Sequence, residues 1–229
     1  MFDTVIIVSI VVVVLGIVVV SLVVNRHLEK KRTEQMSVAA QELGFSFEGD
    51  ATAMLATDVA GLPLFSRGHS KKARNAMCKS VRGTEITLLD YQYTVGAGKH
   101  QHTHRHTVAI FRGDGQAVFP DFEVKPETFF HKIGALFGYQ DIDFDTHQKF
   151  SQKYLVRGTD VPAIRGTFST EVLDFLQSSA AQWSIESRAS WMAIYQAKRA
   201  KPEEIRQFLA DTTRIFLLFA PKSDVAAEG

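Results

Sequence analysis

TEITLLDYQYTVGAGKHQHTHRHTVAIF, residues 84–111, decides how this chain folds. Thr84 to Thr94 is dense in β-branched and aromatic residues, and His100 to Phe111 ends on the same bias. Between them lies the glycine-rich Val95-Gly96-Ala97-Gly98-Lys99. The two runs read as an antiparallel hairpin with a loop longer than two residues. Val81-Arg82-Gly83-Thr84-Glu85 supplies a turn before it. Arg112-Gly113-Asp114-Gly115 supplies one after it, and Gln116 to Phe119 a further short strand. Sequential strands joined this way make a meander with one covered face.

The returning arm carries His100, His102, His104 and His106 at every second position. Alternation in a strand sends all four to one face and Gln101, Thr103, Arg105 and Thr107 to the other. Imidazoles two residues apart can share a divalent transition metal, but Zn²⁺ takes about four ligands and one strand supplies them poorly. The remaining donors would come from His69, His131, His147, Asp90, Asp141, Asp143 or Asp145. No HExxH is present. The plainer reading is a histidine-rich, solvent-facing strand with no cofactor; a third is a surface that charges near pH 6.5. Gly96-Ala97-Gly98-Lys99 lacks the spacing of a phosphate loop, and Thr146 breaks an EF-hand pattern after Asp141, Asp143 and Asp145. The lone Cys78 excludes an internal disulfide and any multi-cysteine metal site.

Upstream, TVIIVSIVVVVLGIVVVSLVVN (4–25) has no charge. Twenty helical residues span about 30 Å, the thickness of a hydrocarbon core. We read one transmembrane signal-anchor helix. Asp3 precedes it, and Arg26, Lys30, Lys31 and Arg32 follow it. The positive-inside rule then puts the N-terminus outside and the larger part in the cytoplasm, at the inner (plasma) membrane. Residues 26–43 contain no Pro or Gly and extend the helix as a stalk, with Gly44 as its C′ residue.

Further on, Arg67, Lys71, Lys72, Arg74, Lys79 and Arg82 form a basic stretch without an acid, begun by a Gly68-His69-Ser70 loop. It could meet anionic headgroups or an acidic partner. Pro126 opens a helix with Phe129, Phe130, Ile133, Leu136 and Phe137 on one side. A strand at 154–156, a helical pattern over 167–177, a second hairpin joined near Ala189 and a helix from Pro202 to about Phe219 complete the chain. Hairpins outnumber strand–helix–strand units. The fold class is therefore α+β: one N-terminal transmembrane helix, then a cytoplasmic domain of mainly antiparallel short strands with packed helices. The expected divisions are 1–25, 26–43, 44–220 and a tail over 221–229.

The strings LPLFSRG (62–68), LLDYQYTVGAGK (88–99), FFHKIGALFGYQDIDFD (129–145) and KPEEIRQF (201–208) resemble a group of uncharacterised bacterial membrane-anchored proteins. The resemblance implies one N-terminal helix and a cytoplasmic domain, and it implies no activity, cofactor or catalytic residue. A net charge of +1 argues against a nucleic-acid partner. The expected partners are the lipid bilayer and a membrane or cytoplasmic protein. The expected function is a membrane-anchored interaction or scaffold domain; the alternative is a metal-dependent, membrane-tethered enzyme built on residues 100–106.

Overall fold

The computed structural model describes residues 2–56, 58–113, 118–127 and 141–220. Helix α1 (Phe2–Leu43) is continuous over 42 residues. By length and composition it can cross a membrane, and its Val, Ile and Leu side chains from Ile6 to Val24 are exposed wherever they are described. It ends in a Schellman motif. Gly44 takes φ +68°, Phe45 N donates to Ala40 O and Gly44 N to Gln41 O.

The strands are β1 (Ser46–Asp50), β2 (His69–Val81), β3 (Thr84–Val95), β4 (His102–Arg112), β5 (Phe119–Pro126), β6 (Tyr154–Gly158), β7 (Ser184–Ala189) and β8 (Trp191–Tyr195). They form one antiparallel sheet in the order β1-β2-β3-β4-β8-β7-β5-β6. The chain has the expected α+β architecture. Both hairpins are present. β3 pairs β4 from Glu85↔Arg112 to Val95↔His102, and β7 pairs β8 around a turn at Ala189, φ +51°. Arg82 and Gly83 both have positive φ, so β2 and β3 are joined by a two-residue type I′ turn.

β2 is the main departure from the sequence reading. It begins at His69, where the sequence predicts a Gly68-His69-Ser70 loop. Its register shifts between Arg74 and Met77, where Asn75 has φ +54°. This bulge resets the alternation, so the strand shows no clean period.

Each face of the sheet is covered. On one, Met36 and Ala40 of α1 join α3 (Gln148–Lys153), α4 (Val161–Thr167), α5 (Thr170–Ser178) and α6 (Ile205–Phe219) over Met77, Leu88, Phe111, Val124 and Ile185. Phe111 stacks on Phe216 at 4.6 Å. On the other, two short 3₁₀ turns and α2 (Pro63–Ser66) bring Leu62, Leu64 and Phe65 onto Leu89, Tyr91, Tyr93 and Tyr195. The second half of α1 is therefore part of the core and not a free stalk. Pro126, expected to open a helix, is instead the last residue of β5, paired with Tyr154; Phe129 to Phe137 of that expected helix, residues 114–117 of the second turn and its strand, and the tail from Pro221 lie outside the described residues.

Two glycines separate strain from space. Gly68 has φ +60°, and an added Cβ would sit 2.3 Å from Thr94 O. Gly44 has φ +68°, but its Cβ would meet only the flexible Lys79 Nζ at 3.4 Å. Gly44→Ala should cost about 1 kcal/mol and Gly68→Ala clearly more, about 2 kcal/mol or above. Urea unfolding of the two variants in the same detergent checks the order.

Candidate functional site

Two buried polar clusters interrupt these apolar faces. The first joins α1 to the sheet. Asp90 lies on the inward side of β3, its side chain 5% exposed. Arg32 Nε and Nη2 donate to its two oxygens, each at 2.7 Å. Asn75 Nδ2 and Thr107 Oγ1 each donate to it at 2.9 Å. Thr107 Oγ1 also accepts from Ala200 N at 3.0 Å. One turn earlier on the helix, Glu29 accepts from both Arg199 terminal nitrogens, at 2.9 and 2.8 Å. The Arg199 hydrogen bond holds the Glu29 carboxyl below its usual range, and Glu29 in turn raises Arg199. These planar, two-point ion pairs fix orientation as well as distance. They tie α1 to β2, β3, β4 and the β8–α6 connection.

The second cluster lies on the opposite face. Glu186 of β7 is fully buried and accepts from Leu64 N at 2.6 Å, Tyr195 OH at 2.7 Å and Lys125 Nζ. Lys125 also donates to Tyr195 OH. Arg67 pairs with Glu123 at 2.6 Å and approaches Glu186 at 3.8 Å. Burial pushes the Glu186 carboxyl upward, but Lys125 and Arg67 outweigh it and hold it low. Burial, with Glu186 beside it, pushes the Tyr195 phenol well up. Two cations and two carboxylates face one another, with Lys125 and Glu186 almost wholly out of water and Arg67 and Glu123 half-buried. The arrangement is a closed strut that fastens α2 and its flanks to β5, β7 and β8.

A row of rings borders this strut. His106 lies 5.2 Å from Tyr195 and 5.9 Å from Tyr93, and His104 stacks on Tyr93 at 5.0 Å. His106 Nδ1 bonds Gln196 O at 2.7 Å, so that nitrogen carries the proton. Its Nε2 is buried without a hydrogen-bond partner among the described residues. Burial lowers the His106 pKa to about 4; the Gln196 carbonyl partly opposes it. Burial also lowers that of His104, aided by His102 and Arg67.

The expected site residues are placed as follows. His102, His104 and His106 share a face of β4, graded from exposed to fully buried, while His100 leaves the ladder in a 3₁₀ turn over Gly98–His100. The turn follows from the positive φ of Gly96 and Gly98. The His104 and His106 rings are parallel at 6.3 Å, and Asp90 sits on the other face of the sheet. Among the described residues, no three His, Cys, Asp or Glu side chains are grouped to hold a metal. His131 lies outside those residues.

The six basic residues do not form one patch. Arg67 is in the strut, Lys71 Nζ donates to Phe65 O at 2.8 Å, and Lys79 Nζ donates to Leu43 O at 3.0 Å. Arg82 sits in the far turn, leaving Lys72 and Arg74 exposed on β2. Of the helix flank, Arg26, Lys30 and Lys31 are exposed, whereas Arg32 is the clamp on Asp90. The reading missed Asp90, Glu186 and Lys125 as site residues of this kind. Their signal is a charge among apolar residues of a strand, in LLDYQY, WSIES and FEVK.

No family model matches the chain, and no curated protein does. A solved structure is similar: the crystal structure of the mycobacterial trehalose monomycolate transport factor A, TtfA. The match has a TM-score of 0.59 at 11% identity, over 82% of this chain and 93% of that one. At that identity the likeness is one of fold.

Asp90→Ala leaves Arg32, Asn75 and Thr107 without their acceptor. The expected loss is about 3–5 kcal/mol, with faster amide hydrogen exchange over residues 29–43. His106 gives a pH signature. Its folded pKa lies below the unfolded value, so the unfolded chain takes up the proton first. Stability is whole above about pH 6.5 and falls toward pH 4, by about 1.4 kcal/mol per unit. His106→Phe should lose that share of the slope, read as the difference between the two proteins' urea midpoints at pH 7 and pH 5.

Proposed function

We propose that this chain is a membrane-anchored, non-catalytic accessory protein. α1 crosses the bilayer with its N-terminus outside, and the α+β domain is held in the cytoplasm in a fixed attitude to present a surface to a protein partner. The observation that carries this reading is the double ion pair Arg32–Asp90 and Glu29–Arg199. A tether needs no such device. Bidentate pairs one turn apart, the inner one buried, are what a helix needs if its direction is to be passed to the sheet. Glu29 is only four residues beyond Asn25, where the apolar run ends. The clamp therefore sits about 6 Å along the helix from the membrane boundary.

Two further points support it. The strut around Glu186 pairs its charges with one another, and the clamp spends its carboxylates on arginines. The similar solved structure is that of a transport factor, which fits an accessory role beside membrane machinery.

The test is cross-linking in native membranes, followed by recovery of the full-length chain. A partner recovered with the wild type should fall at least tenfold with Asp90→Ala, provided that variant still inserts. A C-terminal reporter should be active only in the cytoplasm. Equal recovery by the variant would remove the fixed-attitude reading, and an active external reporter would remove the topology.

A further inference from the structure

The clamp also sets how far the sheet reaches toward the bilayer. Lys79, beside the end of α1 at Leu43, pairs Ile86, and Ile86 pairs Phe111. Arg32, eleven residues back along α1, meets Asp90 and Thr107. Helix and strands thus progress together, about 16 Å along α1 against about 13 Å along β4. The apolar half of α1 leaves in the direction of the β3–β4 loop. From Arg32 to Asn25 is seven helical residues, about 10 Å. From Thr107 to His102 is five strand residues, about 16 Å, and still about 12 Å at a 45° tilt. The tip of the β3–β4 hairpin therefore reaches the plane where the apolar run ends.

That tip has the chemistry of a headgroup surface. Residues 96–103 are all exposed, as are His69, Ser70 and Lys72 at the adjoining start of β2. His69 Nε2 bonds Gly96 O at 3.1 Å and ties the two together. Lys72, Lys99 and Arg105 provide exposed cations, and His100 and His102 exposed ring nitrogens. There is no acid from residue 59 to 84, nor from 91 to 113. On the neighbouring helix the only acid from 26 to 33 is Glu29, which Arg199 already neutralises. The loop backbone folds back on itself: a Cβ on Gly96 would strike His100 O at 2.3 Å. The exposed Arg26, Lys30 and Lys31 lie in the stretch of α1 between Asn25 and the clamp.

We infer that the β3–β4 hairpin tip, with the start of β2, is a docking surface for the anionic phospholipid headgroups of the bilayer that α1 enters. Lys72, Lys99 and Arg105 contact the phosphates, and the exposed histidines add hydrogen bonds. The inference rests on the reading of α1 as a transmembrane anchor, and the experiment separates the two.

The full-length chain carrying Cys78→Ser is placed in nanodiscs of phosphatidylcholine containing one third phosphatidylglycerol. A fluorophore is attached in turn at Val12→Cys, Ala97→Cys and Ser80→Cys. Quenching by nitroxides in the acyl region should be strong at Val12, and quenching by headgroup nitroxides strong at Ala97 and weak at Ser80, at the other end of β2. No quenching at Val12 overturns the anchor reading; strong quenching at Val12 with Ala97 no better than Ser80 overturns only the docking. Phosphatidylglycerol should be enriched among lipids retained by the wild type. Each of Lys72→Gln, Lys99→Gln and Arg105→Gln should weaken that retention about fivefold. No enrichment, or enrichment unchanged in the triple variant, overturns the headgroup assignment even if Ala97 is quenched.

Discussion

The bond between Arg32 and Asp90 is the constraint on which the architecture turns. A carboxylate on the inward side of a central strand is costly unless it is fully partnered. Here its partners come from three directions: the helix through Arg32, the bulged strand through Asn75 and the next strand through Thr107. Each is usable only if the others are in place. Asn75 reaches Asp90 from a left-handed backbone position, so the β2 bulge and the clamp are parts of one arrangement. The long helix, the bulge and the strand register thus depend on one side chain.

The strut on the opposite face follows the same logic. A sheet covered on both sides has little room for polar side chains, and its strands should read as near-continuous apolar runs. Glu186 and Lys125 break that rule and satisfy each other, with Tyr195 closing the third side. Glu186 also accepts the amide of Leu64 at the start of α2, a four-residue helix with no side-chain cap of its own. Short elements bury little surface and need such a fastening. The polar clusters therefore sit where packing alone would leave an element undetermined: α1 on one face, α2 on the other.

The local parts of this fold were legible because they are encoded locally. The β3–β4 and β7–β8 turns and the Gly44 cap each rest on residues within a few positions of one another. What was not legible depends on distant partners. The start of β2 reads as a loop because its basic side chains carry no apolar alternation; as with Lys79 at Leu43, Lys71 finds a backbone carbonyl from elsewhere, that of Phe65. The histidine ladder was half visible. Alternation placed His102, His104 and His106 on one face, but it could not foresee that Gly96 and Gly98 would turn His100 out of the strand. Nor could it foresee that His106 would be sealed beneath Tyr93 and Tyr195.

Arg32 shows how one residue can satisfy two readings at different stages. In the proposed topology it is the fourth cation of the flank that orients the apolar helix. Once the sheet forms, its charge is matched by Asp90 and withdrawn from the surface. The three cations left exposed, Arg26, Lys30 and Lys31, lie before it on the helix. The exposed cations and the one that locks orientation thus share about two turns of α1. A neutral, packed contact could hold the helix against the sheet, but it could not also belong to the positive flank. Under the proposed topology, that double requirement accounts for an ionic join here, when Met36 and Ala40 one and two turns further on are purely apolar.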